Sequence, residues 1–300
     1  MAMNSINTNT AAMIALQNLA DTQTHLGVVQ NRIDTGLKIA SAKDNGAIWA
    51  IAQTEKAQAS SLDAVTNSLN NGKSVLDTTL QAGSQMTDIL NQMRSKALAA
   101  SDAGIDNASR TQYQTEYTKL AQSYANVIAS SSFNGVNLVD ASTGQISAIG
   151  SADGGIKITS AHNSLNAATI FATDTSLTVT AGTVVAPSTT ASVDTVATNA
   201  TWADGTGAQA ASALAVVDTA IKSVTQGLSG FGVDAKAIDN QMTLVGKLQD
   251  SLTTGIGNLV DANLAQESAS LQALQTKQQL GVQALSIANQ STSVLLGLFR

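Results

Sequence analysis

The chain of 300 residues has no cysteine, which excludes disulfide frameworks and thiolate chemistry. It has one proline, Pro187, so no proline interrupts either end. Aromatic residues make up only 3%. A core of Ala, Leu, Val and Ile suits close helix packing better than a deep ligand pocket, which usually has aromatic walls. Charge is scarce as well: 12% of residues are charged, against about 25% in ordinary globular chains. The balance is acidic, with a net charge of −6 and a pI near 4.7. Nucleic acid is therefore not expected as a partner, because it calls for a basic patch. The two histidines, His25 and His162, are far apart, and no His-Glu-x-x-His motif occurs to hold zinc beside a general base. No metal, cofactor or catalytic residue is expected. No run of 18 apolar residues exists, so no membrane insertion is expected. The opening "MAMNSINTNTAAMIALQNLA" has no basic n-region and no unbroken apolar h-region, so no cleaved secretory signal is expected.

What the chain does have is helical periodicity at both ends. From Ser60 to Ser101, Leu62, Leu69, Leu76, Gly83, Leu90 and Ala97 recur every seven residues. Val65, Gly72, Thr79, Met86, Met93 and Ala100 form the partner seam of this heptad pattern. Ala12, Leu19, Leu26 and Ile33 make a shorter seam upstream. Tyr113, Tyr117, Leu120, Tyr124 and Val127 predict a helix downstream, with Ser109 or Asn107 as its cap. Asn134-Gly135 between short apolar runs is a hairpin signal. In the last third, Leu214, Val217, Ile221, Val224, Leu228, Phe231, Ala235, Ile238, Met242 and Val245 keep a strict 3-4 spacing, continued by Leu252, Ile256 and Leu259. Gly227, Gly230 and Gly232 weaken that helix locally by about 1 kcal/mol each. Residues 141–205 differ, being rich in Thr, Ser, Ala, Val and Gly, with period-2 alternation in "GGIKITS" and "SLTVTAGTVV". The predicted fold is mainly α: a long coiled-coil-like helical rod formed by both termini, with a small β-rich central insertion.

The terminal segments are short of charge on every face. Between Ser251 and Arg300 only Asp261, Glu267, Lys277 and Arg300 are charged. A monomer's surface helix needs a polar outer face. Burying Leu264, Leu271, Leu274, Leu280, Leu285, Leu295 and Leu298 would yield on the order of 10–20 kcal/mol. Ordering the segment costs roughly 1–2 kcal/mol per residue. One intrachain partner, the N-terminal segment, cannot cover every apolar face. Other copies of the chain must do so, and a self-assembling protein follows.

The termini resemble bacterial flagellins. "NRIDTGLKIASAKDNGAIWAIAQ" (31–53), "FNGVNLVD" (133–140) and "NLVDANLAQESASLQALQTKQQLGVQALSIANQSTSVLLGLFR" (258–300) carry the resemblance, and the short alphaproteobacterial members are most similar. It implies an inner-tube helix pair from 1–44 and 258–300, a rod from 45–140 and 206–257, and a variable outer domain from 141–205. It further implies export through the flagellar type III channel with a secretion chaperone, and polymerisation beneath a cap. The product would be a hollow extracellular filament, a homopolymer open to other flagellins, with hook–filament junction and cap proteins as partners. A junction protein with similar helical ends is the runner-up, and a coiled-coil adhesin lacks a signal and an anchor.

The residues chosen for subunit assembly are Leu16, Leu19, Leu26, Ile33, Leu271, Leu274, Leu285, Ile287, Leu295, Leu298 and Phe299, with Arg32, Lys43 and Asp44 as polar contacts that set register. Thr173, Thr175, Ser188, Thr189 and Thr190 are the O-glycosylation candidates that the resemblance suggests.

Overall fold

A computed structural model of the chain describes residues 9–140, 145–160, 202 and 207–298, with backbone alone over 291–298. The described chain is mainly helical. Helices α1 (Thr10–Thr35), α2 (Gly46–Ala100) and α3 (Asn107–Ser130) precede strands β1 (Ile146–Ile149) and β2 (Lys157–Ser160); α4 (Ala208–Val260) and α5 (Leu264–Leu298) follow. The residues group into two compact units, Met1–Ser60 with Gln249–Arg300, and Ser61–Leu248.

In the second unit, α2 and α4 run antiparallel. Lys73 pairs with Asp239 at 2.8 Å and Arg94 with Asp218 at 2.6 Å. Between these pairs lies Gly83, where a Cβ would fall 2.0 Å from Leu228 Cδ2. The missing side chain is what lets the two helices approach here. The expected heptad positions form the core: Leu69, Leu76, Met86, Leu90, Met93, Ala97 and Ala100 are fully buried on α2, and Val217, Val224, Phe231, Ile238 and Val245 face inward from α4. Thr79, a polar residue in this seam, satisfies its hydroxyl by donating to Val75 O at 2.8 Å. The glycines of 227–232 stay inside one continuous helix.

Helix α3 folds back on α2, joined by Lys96–Glu116 at 2.7 Å. Its cap is Asp106, not Ser109 or Asn107: Asp106 has extended backbone (φ −73, ψ 162) and accepts from Ser109 N at 2.6 Å. Ser109 is thus the capped residue, because the carboxylate three positions earlier reaches the free amide. Asn134 and Gly135 both take positive φ, 51° and 79°, and Phe133 and Val136 exchange both backbone hydrogen bonds at 2.9 Å. The expected hairpin turn is present as a single bridge.

β2 occupies part of "GGIKITS", and its antiparallel partner is β1 in the register Ile146↔Ser160 to Ile149↔Lys157. The ribbon is anchored on helices by side chains. Ser68 Oγ accepts from Ile149 N, Ser160 Oγ donates to Asp234, and Gln241 Nε2 donates to Gly150 O. The second expected strand segment, "SLTVTAGTVV", lies outside the described residues.

Also, α2 begins at Gly46, upstream of the expected Ser60. Asn45 starts it, its Oδ1 accepting from Ile48 N at 3.1 Å and its O from Trp49 N at 2.9 Å. The periodic positions Ile48, Ala52 and Ala59 carry the inward face into the first unit.

Candidate assembly surface

The first unit is built on the antiparallel hairpin of α1 and α5. Asn9 caps α1 by accepting from Ala12 N at 3.0 Å, and its own amide donates to Ala288 O at 2.8 Å. One side chain therefore closes the helix end and fixes the register. Arg32 reaches Glu267 at 3.2 Å from the other end of the same pair. Between them Gly281 faces Leu19, whose Cδ1 is 3.4 Å from where a Cβ would stand. On α1 the inward positions are Ala12, Ala15, Leu19, Thr22, Leu26, Val29 and Ile33, spaced by threes and fours. On α5, Leu271, Leu274, Gln278, Gly281, Leu285 and Ala288 meet them, each half-buried.

Beyond α1, the loop returns as an extended segment. Gly36 ends the helix with φ 70°, a left-handed conformation that glycine adopts without a Cβ penalty. Gly36 O then accepts from Ala262 N, and Val260 O accepts from Lys38 N. Ile39, Ala52 and Val260 bury a small apolar cluster beside this bridge, flanked by Leu37, Ile48, Ile256 and Leu259.

Away from the seam the hairpin is uncovered on more than one side. Ile287 is 69% exposed, Met13 67% and Leu16 59%, and Ile14, Val28, Leu280 and Val282 are exposed beside them. Ile14, Ala15, Leu280, Ala284 and Ile287 line an open groove of about 900 Å³ between the helices. Covering this set would stabilise an assembly by on the order of 5–10 kcal/mol per chain, given about 1.5–3 kcal/mol per fully buried apolar side chain. Exposed apolar area of this extent marks an interaction site.

The residues chosen from sequence divide accordingly. Leu19, Leu26, Ile33, Leu271, Leu274 and Leu285 line the intrachain seam, half-buried, while Leu16 and Ile287 are exposed and Ile287 borders the groove. Leu295, Leu298 and Phe299 lie outside the described side chains. Arg32 is engaged by Glu267 within its own chain. Lys43 is exposed and makes no ion pair among the described residues. Asp44 closes its own loop: its Oδ2 accepts from Ala40 N at 3.1 Å, Ser41 N at 2.9 Å and Ser41 Oγ at 3.0 Å. The exposed apolar residues missed from sequence are Met13, Ile14, Val28 and Val282, and Leu280 enters there as apolar mass without being chosen as a contact, since a segment apolar all round gives no outward direction.

The bonds from Ser41, backbone first, hold the Asp44 carboxyl below its ordinary value of 3.8, with Arg32 adding a smaller pull in the same direction. The depressed folded value fixes the sign. The contribution to stability is present in full above the unfolded value and is lost as pH falls through the lower, folded one. Asp44→Ala should therefore lower the thermal midpoint at pH 7. The gap from wild type should close in acid below the ordinary carboxylate range, measured by circular dichroism melts across pH.

Among the described residues, no cluster of three or more potential ligands could hold a metal, and no helix is long and apolar enough to cross a membrane. The terminal helices offer exposed apolar side chains for packing.

Comparison with known proteins identifies the family. Residues 6–144 match the family model of the bacterial flagellin N-terminal helical region, and residues 214–299 that of the C-terminal helical region. Flagellin FljK of Caulobacter vibrioides is 46% identical over the whole of both chains. A flagellin of Brucella melitensis is 35% identical, covering 99% of this chain and all of its own length. Flagellin C of Rhizobium meliloti is 32% identical with the same coverage. The chain belongs to the bacterial flagellin family. It is a structural subunit, not an enzyme, and self-polymerises into the extracellular flagellar filament that serves motility.

Proposed function

We propose that the open sides of the α1–α5 hairpin are the surface through which this subunit packs into the inner tube of the filament. The uncovered apolar side chains of both helices carry this reading, with Ile14, Leu280 and Ile287 along one groove and Met13, Leu16 and Val282 outside it. Association costs roughly 4–15 kcal/mol in lost rigid-body freedom. The apolar gain of one chain is of that same size, so a single contact is marginal and a subunit held by several neighbours is secure. This favours growth on an existing end over pairing in solution.

In this scheme 1–44 and 258–300 form the inner tube, 45–140 and 206–257 the rod, and 141–205 the outward domain. Leu19, Leu26, Ile33, Leu271, Leu274 and Leu285 set the hairpin that presents the face; Leu16 and Ile287 contact neighbours, with Leu295, Leu298 and Phe299 continuing the apolar run. Lys43, with Arg32 and Asp44 nearby, adds register. Hook–filament junction and cap proteins and a secretion chaperone are the further partners, and Thr173, Thr175, Ser188, Thr189 and Thr190 are the sugar acceptors.

Seeded growth tests the reading. Purified full chain added to short filament fragments should extend them into hollow filaments under the electron microscope. The chain lacking residues 280–300 loses Leu280, Val282 and Ile287 together and should leave the seeds unextended. Equal extension by both would remove the hairpin face from the mechanism.

A further inference from the structure

Among the described residues, one buried side-chain polar atom has no hydrogen-bond partner: Oε2 of Glu55. Glu55 lies on α2 within the first unit, one turn from buried Ala52, and its Oε2 faces Gly255 of α4 at 3.7 Å from where a Cβ would stand. The neighbouring cluster of Ile39, Ala52 and Val260 with Ile48 and Ile256 supplies no donor. A carboxylate oxygen held this way loses its water without compensation. Natural folds keep such groups where something else completes them.

Several observations say where the completion comes from. Glu55 as a whole is only partly buried, so an outside group can reach its carboxylate. An incoming cation would meet the carboxylate from its exposed side, and because the charge is shared over both oxygens it compensates the buried one as well. Ile51, four residues earlier on the same helix face, is 52% exposed. The carboxylate thus stands one turn from an exposed apolar side chain, in the same compact unit as the assembling hairpin. We infer that Glu55 is an intersubunit acceptor, left without a donor in the single chain and completed by a lysine or arginine of a second copy seated over Ile51. The inference rests on the assembly reading above and adds a residue and a charge to it. A charge-assisted bond to a desolvated carboxylate is directional, so it would hold register where the apolar contacts alone would slide.

Glu55→Gln keeps the shape and removes the charge, and the sign of its effect decides. A carboxylate that is paired in the filament is worth more than the amide. A carboxylate that stays unpaired is worse than the amide. The measurement is the concentration of soluble full-length subunit at equilibrium with seeded filaments. Glu55→Gln and Glu55→Ala should each raise it about fivefold or more at low salt, and the rise should shrink at high salt, since salt screens the pair. Circular dichroism of the free chains checks that both variants fold as wild type does. An unchanged or lowered soluble concentration in Glu55→Gln would overturn the inference. Wild-type protein that adds nothing to seeds would bring down the assembly reading and this inference with it. Normal wild-type filaments with an indifferent Glu55→Gln would bring down this inference alone.

Discussion

A chain carrying Ile287→Asp should fold as wild type and fail to enter filaments. Ile287 is 69% exposed, so the substitution removes little intrachain packing. Aspartate inside a helix costs about 0.5 kcal/mol relative to good formers, which α5 can absorb across its 35 residues. The effect belongs to assembly. If a neighbouring copy covers this position, the carboxylate is carried into an apolar contact without a donor, at a cost of several kcal/mol. Each 1.4 kcal/mol is tenfold in an equilibrium constant. The soluble concentration at equilibrium with seeded filaments should therefore rise by about 100-fold or more. Ile287→Leu, which conserves volume, should stay within a few-fold of wild type. A seam residue such as Leu274 offers the contrast: it is half-buried against α1, so Leu274→Ala should lower the free chain's helicity as well as its assembly. If Ile287→Asp assembles within threefold of wild type, the open face is not a subunit contact.

How far such a surface can be read from sequence depends on the kind of signal. The seams of α2 and α4 were legible because the same 3-4 spacing repeats over many turns: the residues it selects from Leu69 to Met93 are buried, and those from Val217 to Val245 are buried or, at Ile221, Leu228 and Met242, half-buried. The self-associating character of the ends was legible from missing charge. The division between Leu19 on the seam and exposed Leu16 was not, because α1 is apolar on more than one side and periodicity then loses its direction. Asp44 illustrates a different limit. Its charge suggests a partner at long range, while Ser41 three positions earlier offers a local turn, and the structure shows the local bonds. In "SDAGIDNASR", several residues compete for one cap, and only backbone geometry selects Asp106. β1 carries too few residues for a pattern. Glu55 gave no signal, since Gly255, against which it rests, is distant in sequence.

The same short segment holds the second large effect. Arg110 is fully buried, which is rare for a charged side chain unless its head is satisfied. Its Nε donates to Ala100 O at 2.9 Å, Nη2 to Asp102 O at 2.9 Å and Ile105 O at 3.5 Å, and Nη1 to Asn107 Oδ1 at 3.1 Å. Ala100 ends α2, so the guanidinium meets carbonyls that the helix leaves free, at the negative end of its dipole. The α2–α3 turn thus folds around one cation whose planar fork reaches several acceptors at once. Arg110→Met keeps much of the apolar stem and deletes the head. The buried carbonyl of Ala100 is then left without that donor, at about 1–3 kcal/mol, and the bonds to Asp102 and Asn107, nearer to solvent, are lost at about 0.5–1.5 kcal/mol each. Arg110→Lys restores the charge but not the fork, and should recover less than half of the loss. With a total of roughly 2–5 kcal/mol and about 2–4 °C per kcal/mol for a unit of this size, Arg110→Met should lower the thermal midpoint by about 5–15 °C. Hydrogen exchange should localise the change, with amides of the 101–110 turn and the first turn of α3 losing protection first. Arg110 belongs to the second unit, away in the chain from the hairpin face, so filaments seeded well below the new midpoint should still grow. A midpoint within 2 °C of wild type, or full rescue by Arg110→Lys, would mean that the turn is held by its backbone alone and the buried cation is dispensable.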